Sequence, residues 1–367
     1  MMPILRPTVA EVDLKKLARN MRKVHEQAGE GVCVLTVLKA NAYGHGAVPL
    51  GLFLEKNKLS DFFGAASVEE ALQLRQAGVT LPILVLGSIY PFEAFEYAIK
   101  NNIAITIASL DAAKAVCEIA EKIGKKALCH VKQDTGMGRI GTRRGGVFNV
   151  IEYLDKNPHV ILDGLFTHLS SVETDPAYTE EQIGYYRDTL TNVHLKGIHI
   201  NYCHVAASSA ITARPDVHYD MVRTGHSAFG LEAGFEPILS LKTRVVYVKD
   251  VPAGASISYN RSFIAPAPMK VATLPLGYGD GYLRALSNKA EVLINGKRCR
   301  VLGNITMDMM MVDITNAGSV KVGDEAVAVG RQGNEEITYA ELAEKAGTID
   351  YELCTLLMLR VPRIYKE

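Results

Sequence analysis

Residues 34–46 read VLTVLKANAYGHG, an apolar run that ends on a lysine. An ammonium among apolar neighbours gives up its proton more readily, and the neutral amine that remains is a nucleophile able to condense with an aldehyde. Lys39 is therefore a candidate covalent anchor. Other reactive or charged side chains close apolar runs further along: Lys132 and Arg139 in VKQDTGMGRIG, His168 in GLFTH, His204 and Ser208 in CHVAASS, and Arg223 in MVRTG. The hydroxyls of Tyr43 and Ser208, with backbone N–H groups around Gly225, are the donors that would hold a phosphate, and the planar fork of Arg139 suits a carboxylate. Arg223 stays charged at neutral pH. Each residue alone has a plainer use: a strand-end lysine surfaces, a serine caps a helix, an arginine pairs with a loop carboxylate. Their joint occurrence at run ends favours a site.

Groups on separate runs meet only if the runs form one sheet. Eight β-branched stretches (CVLTVLK, FFGAAS, PILVLG, IAITIAS, ALCHVKQD, ILDGLFTH, IHINYCH and YDMVRT) alternate with helical-period segments up to about residue 230. Their near-continuous apolar character fits parallel strands covered on both faces. SVEEALQLRQAG and SLDAAKAVCEIAEKIG each open on Ser with a nearby acid and close on Gly, the expected cap chemistry. The fold class expected is α/β, a (β/α)8 TIM-like barrel over 11–237, where chemistry gathers at the C-terminal strand ends. From residue 238 to 367, alternating apolar and polar residues with Asn-Gly and Gly-Asp turns predict a smaller, mostly antiparallel β domain. TYAELAEKAG and YELCTLLML read as helices, RVPRIY as a last strand, and residues 1–10 as a candidate addition to the second domain.

The 367 residues are 48% hydrophobic and 22% charged, and forty basic residues balance forty acidic ones. No field of one sign would draw this chain to nucleic acid or an anionic membrane, so a small ligand is expected. Six cysteines without a CxxC pair suit reduced thiols, and the N-terminus lacks a sustained apolar stretch, so a cytoplasmic location is expected. GMGRIG at 136–141 matches a dinucleotide loop, which keeps an NAD-dependent dehydrogenase as a distant alternative, but Asp163 lies before the end of the next strand rather than at it. His199, Cys203 and His204 are close in sequence, yet alternation aims His204 to the opposite face from the other two; no metal site is expected.

VLKANAYGHG closely resembles the cofactor-binding signature of the alanine racemases, and KQDTGMGRIG, GLFTHLSS, MVRTG, ISYN, LGYGDGY, NITMD and LRVPR extend that resemblance over the whole chain. The resemblance implies pyridoxal 5′-phosphate held as a Schiff base on Lys39, with Tyr43, His168, Ser208, Arg223, Gly225 and His226 around it. It also implies Lys39 and Tyr259 as the two acid–bases on opposite faces, Tyr259 coming from the partner in a head-to-tail homodimer with shared sites. Arg139, Met307 and Tyr278 would bind substrate or narrow the entrance, and Lys132 is a candidate for carbamylation. The reaction implied is racemisation of alanine, supplying D-alanine for peptidoglycan.

Three positions depart from the family pattern: Ala207 where Asn is common, His226 where an aliphatic residue is usual, and Leu359 where many members carry Tyr. They make a serine or broad-specificity amino-acid racemase the runner-up. A pyridoxal-phosphate carrier protein is the non-enzymatic alternative; such carriers lack the second domain.

Overall fold

The computed structural model describes residues 5–367. Strand β1 (Val9–Asp13) is followed by eight parallel strands: β2 (Cys33–Val37), β3 (Phe62–Ala65), β4 (Ile83–Val85), β5 (Ile103–Ile107), β6 (Ala127–Lys132), β7 (Val160–Phe166), β8 (Tyr202–His204) and β9 (Met221–Thr224). Their order is β8-β7-β6-β5-β4-β3-β2-β9. The ends of that list meet through a parallel bridge, Ala207 to Arg223, with Arg223 N–H donating to Ala206 O at 3.0 Å. A nearly closed barrel results. β3, β4 and β5 are buried along their whole length, as strands covered by helices outside and side-chain layers inside must be.

The helices begin and end where the cap chemistry placed them. Ser67 Oγ accepts from Glu70 N–H ahead of Val68–Gln76, and Ser109 Oγ accepts from Ala112 N–H ahead of Leu110–Ile123, which stops at Gly124 in the left-handed region. IHINYCH yields a short strand: only Tyr202–His204 is extended, three residues like β4.

Beyond residue 238 a second sheet forms. Among the described residues it holds ten strands, antiparallel but for β1 beside Arg363–Lys366, and β1 also pairs with Leu239–Arg244. Glu291–Ile294 and Lys297–Leu302 form the hairpin expected at Asn295-Gly296, both turn residues having positive φ. No helix among the described residues is long and apolar enough to cross a membrane.

Candidate active site at the barrel mouth

Lys39 follows β2 directly, and the backbone after it does something uncommon. Ala40, Asn41, Ala42 and Tyr43 all have φ between 51° and 54°, one turn of left-handed helix. Such a turn is disfavoured for L-residues by roughly 1–2 kcal/mol each, so neighbours must hold it. Glu70 does so with both carboxylate oxygens, accepting from Ala40 N–H and Ala66 N–H at 2.7 Å each; Asn41 Oδ1 accepts from Ala47 N–H at 2.9 Å. Sequence reading missed Glu70, although its position three residues after Ser67 is a capping-box position. The turn carries Tyr43 back towards the barrel, with Lys39 Nζ 5.8 Å from its ring centroid. Burial, then the charge of Arg139, holds Lys39 below its ordinary pKa against an opposing pull from Glu70.

Arg223 on β9 is buried and has no carboxylate partner among the described residues. Its guanidinium donates to the carbonyls of Thr167 and Val205 at 2.8 Å, to His204 O at 3.2 Å and to His204 Nδ1 at 2.9 Å, with His168 Nδ1 at 3.4 Å. Burial lowers its pKa to about 10, Arg139 adding to the shift and Tyr186 opposing it, which leaves it charged at neutral pH. Phe166, another residue sequence reading passed over, lies under two cations: Arg223 Cζ is 5.6 Å and Lys132 Nζ 5.3 Å from its ring centroid. A ring face stabilises a cation where no carboxylate does. Lys132, the last residue of β6, is also buried and donates only to Gln133 O among the described residues. Asp134 has other donors, Gly136 N–H, Gly138 N–H and Arg143 Nε. Burial, then Arg223 and Arg139, pull Lys132 down to about 7, with Asp134 opposing. His168 is lowered to about 3 by burial and by the charges of Arg223, Lys132, Arg139 and Lys39, so it is neutral. Arg139 is exposed, with no hydrogen-bond partner among the described residues.

Beside this cationic group lies a cradle. Ser208 Oγ accepts from Gly225 N–H at 3.2 Å and Ser227 N–H at 3.4 Å. A Cβ at Gly225 would come within 3.0 Å of the Tyr43 hydroxyl oxygen, so the glycine lets that hydroxyl approach the backbone. Burial raises Tyr43 to about 12, keeping it a donor. His226 turns outward to Asp350 Oδ1 at 3.3 Å and meets the Tyr351 ring edge-on. Four cations converging with no carboxylate between them among the described residues, next to clustered hydroxyls and N–H groups, describe an anion site.

Tyr259, Tyr278 and Met307 gather elsewhere, on loops of the second sheet. Tyr278 N–H donates to Thr306 O, Gly279 N–H to Met307 O, and Asn304 Nδ2 to Tyr259 O. These side chains are 67%, 41% and 53% exposed respectively for Tyr259, Tyr278 and Met307. Among the described residues neither tyrosine hydroxyl nor the Met307 N–H has a hydrogen-bond partner. Behind them Asp280, fully buried, receives Arg6 and Arg360, and Arg360 reaches Met307 O, so the loops are fixed while their functional groups face outward.

The dinucleotide reading of GMGRIG finds its Gly136 and Gly138 N–H groups already committed to Asp134. His199 bonds Asn201, Cys203 N–H donates to Asp220, and His204 is buried beside Arg223; no group of three metal-ligand side chains occurs among the described residues.

The family model described as alanine racemase, N-terminal domain, matches residues 12–233, and that described as alanine racemase, C-terminal domain, matches residues 238–365. Alanine racemase 2 of Caldanaerobacter subterraneus subsp. tengcongensis is 41% identical over 98% of this chain and 95% of its own. Among solved structures, alanine racemase of Clostridium difficile 630 superposes with a TM-score of 0.94 at 37% identity, covering 100% of this chain and 97% of that one. The Bacillus anthracis alanine racemase with bound L-Ala-P gives 0.93 at 33% identity over 100% and 96%.

Proposed function

The chain belongs to the alanine racemase family and interconverts L- and D-alanine, and we propose that it does so with pyridoxal 5′-phosphate on Lys39 and acid–bases drawn from two copies of the chain. Members of this family use that cofactor, and their product serves peptidoglycan synthesis. The residues present fit it: a lysine held below its ordinary pKa, a hydroxyl and N–H cradle for a phosphate, and four cations for a carboxylate and a phenolic oxygen. When bound, the cofactor supplies an electron-withdrawing ring that makes the substrate α-proton acidic.

Lys39, as a neutral amine, takes or returns that proton on one face. Arg223, charged and buried, would hold the ring-nitrogen side of the cofactor and would oppose protonation there. The Ser208 and Tyr43 hydroxyls beside the Gly225 backbone would hold the phosphate, and His226, tied to Asp350, links that rim to the second domain. Arg139 takes the substrate carboxylate. The same reading divides the chain into residues 11–237 and 238–367, with residues 5–10 joined to the second; β1 carries that addition on to Asp13, and residues 1–4 lie outside the described residues.

The opposite face needs a second acid–base, and no hydrogen bond joins Tyr259 to the barrel of its own chain among the described residues. A second copy docked head to tail would bring Tyr259 over this mouth, with Tyr278 narrowing the entrance and Met307 N–H meeting the substrate carboxylate. A tyrosine with pKa of about 10 acts as a base near neutrality only if its phenolate is stabilised. His168 supports that role: Arg223 can only donate to its Nδ1, so its proton sits on Nε2, free to donate to a phenolate.

Lys132 without a carboxylate partner and near pKa 7 is partly neutral at neutral pH. Its amine nitrogen can bond the carbon of CO2 and release a proton, giving a carbamate that accepts from Arg139.

The observation that carries this reading is the lowered lysine among cations that lack a counter-ion. The test is chiral analysis of single-enantiomer alanine and serine incubated with purified protein and pyridoxal 5′-phosphate. Alanine should give the higher kcat/KM; a higher value for serine, as the exposed Leu359 at the cleft of Ala40, Asn41 and Gly44 allows, would make the runner-up correct. Turnover of neither would refute the proposal.

A further inference from the structure

The two glycines of AYGHG mark where the second domain presses on the turn that follows Lys39. A Cβ at Gly44 would collide with Cys354 O, and one at Gly46 with the Tyr365 hydroxyl; both glycines have positive φ, 82° and 106°. The strand Arg363–Lys366, joined to the second sheet through β1, brings two donors to the same place. Arg363 Nε donates to Gly44 O and the Tyr365 hydroxyl to His45 O, each at 3.0 Å.

These carbonyls come directly after the left-handed turn of Ala40–Tyr43, whose strain must be offset. The turn closes its own N–H groups: Gly44 donates to Ala40 O and His45 to Ala42 O at 3.0 Å, and Gly46 to Asn41 O at 2.8 Å. Buried His45 faces the carbonyls of Ala42 and Tyr43 with Nδ1, at 2.8 and 2.9 Å, so its proton sits there. Its ring stacks on Phe229 at 4.8 Å between centroids, and Phe229 meets the Tyr43 ring at 5.4 Å. The carbonyls of Gly44 and His45 are then taken by the second domain. Arg363 pairs with no carboxylate among the described residues; its remaining donors gather Leu357 O at 2.7 Å and Met358 O and Val361 O at 2.8 Å. A rigid fork that joins carbonyls of two segments fixes how those segments sit against each other.

Lys39 and Tyr43 stand at opposite ends of this turn. The lysine end is held by the barrel, Leu38 N–H donating to Gly64 O at 2.7 Å and Ala40 N–H to Glu70. The tyrosine end adjoins the two clamped carbonyls. Building on the cofactor reading above, we infer that Arg363 and Tyr365 are positioning residues for the phosphate-binding hydroxyl of Tyr43, so that the second domain sets the phosphate end of the site while the barrel sets the lysine. Apparent affinity falls with the fraction of molecules whose turn is competent to bind. Loosening the clamp therefore weakens the grip on phosphate and leaves the reaction of an aldehyde with Lys39 largely intact.

The experiment uses full-length protein freed of cofactor, unaltered and as Tyr365→Phe, which removes one hydroxyl, and Arg363→Met, which removes the fork. In hydrogen–deuterium exchange a peptide covering residues 40–47 should exchange about fivefold faster in Tyr365→Phe, the scale of one hydrogen bond, and faster still in Arg363→Met, with a peptide across β5 unchanged. Unchanged exchange in folded Tyr365→Phe would overturn the proposal, and that variant decides alone if Arg363→Met fails to fold. Titration with pyridoxal 5′-phosphate should show about fivefold weaker binding by Tyr365→Phe, while pyridoxal, which lacks the phosphate, should bind within about twofold of the unaltered protein. Equal weakening of both compounds would reduce the clamp to a general structural contact and overturn the proposal. In a Tyr43→Phe background, Tyr365→Phe should lower pyridoxal 5′-phosphate affinity no further; full additivity would refute the coupling. The exchange measurement needs no cofactor, so it succeeds or fails separately from the cofactor reading, which an unaltered protein with no preference for the phosphorylated compound would sink.

Discussion

Replacing alanine by glycine in a helical turn ordinarily destabilises a protein, yet at Ala40 the opposite sign is expected. Ala40 is exposed with φ 51°, and its N–H donates to Glu70, a bond that glycine keeps. Relief of left-handed strain is about 1–2 kcal/mol, against which glycine adds about 0.4–1 kcal/mol of unfolded-chain entropy. A net gain of about 0.5–1 kcal/mol follows. One residue on, Asn41 has φ 54° and nearly the same backbone, but asparagine tolerates that region and its Oδ1 accepts from Ala47 N–H at 2.9 Å. Asn41→Gly loses a hydrogen bond of about 0.5–1.5 kcal/mol and adds the same entropy, so a net loss of about 1 kcal/mol is expected.

The assay is denaturant unfolding of each variant in cofactor-free protein, so that ligand linkage does not add to the difference. Midpoints should move in opposite directions from the unaltered protein at constant m-value. If both variants shift the same way, the left-handed turn is not strained as its φ values imply. Glu70→Ala would then supply the complementary case, since it removes two carboxylate bonds that hold the turn and should destabilise by about 2–4 kcal/mol.

Borohydride reduction of the cofactor-loaded protein followed by peptide mapping should place the pyridoxyl group on Lys39, and a label on Lys132 instead would overturn that assignment. In CO2-free buffer the folded protein binds fewer protons at Lys132 than the unfolded chain between about pH 7 and the ordinary lysine value, so stability should rise with pH across that window. Lys132→Met should lose that slope, and an equal slope in both would refute the lowered pKa. Feeding labelled CO2 should give a carbamate carbon signal that Lys132→Ala abolishes. Mixing Lys39→Ala with Tyr259→Phe subunits should recover part of the activity that each lacks alone, because one site of the mixed dimer holds both groups; no recovery in demonstrated heterodimers would rule out shared sites.

Much of this architecture was written in local pattern. The eight apolar runs became β2 to β9, and the serine caps and glycine stops of the helices stand where their chemistry put them. Strand ends also placed Lys39, Lys132 and Arg223 at one mouth, since parallel strands of a barrel finish on the same side. What stayed hidden depends on contacts distant in sequence. Glu70 holds a turn 30 residues earlier, and Phe166 underlies cations on β6 and β9. Asp163 looked like a misplaced ribose ligand because a bulge cannot be read from a run such as ILDGLF; only the register beside Cys129 and His130 shows it. The left-handed turn was equally silent, for ANAY contains no glycine to announce positive φ.

The two groups of unused polar atoms constrain each other. In a chain with forty charges of each sign, local imbalance is a choice of placement and not of composition. At the barrel mouth Lys39, Lys132, Arg139 and Arg223 come together while the nearby carboxylates of Glu70 and Asp134 are occupied by backbone N–H groups and Arg143. Mutual repulsion of those cations costs stability unless an anion offsets it, which favours a bound phosphate and carboxylate over any neutral ligand. On the second sheet, Tyr259, Tyr278 and the Met307 N–H are held outward by the Asp280 and Arg360 anchor, a display without a hydrogen-bond partner among the described residues. On the proposed shared-site reading, a donor-rich display and an anion-holding mouth would complete one another across two copies, since within one chain the anchor that fixes the loops also keeps them facing away.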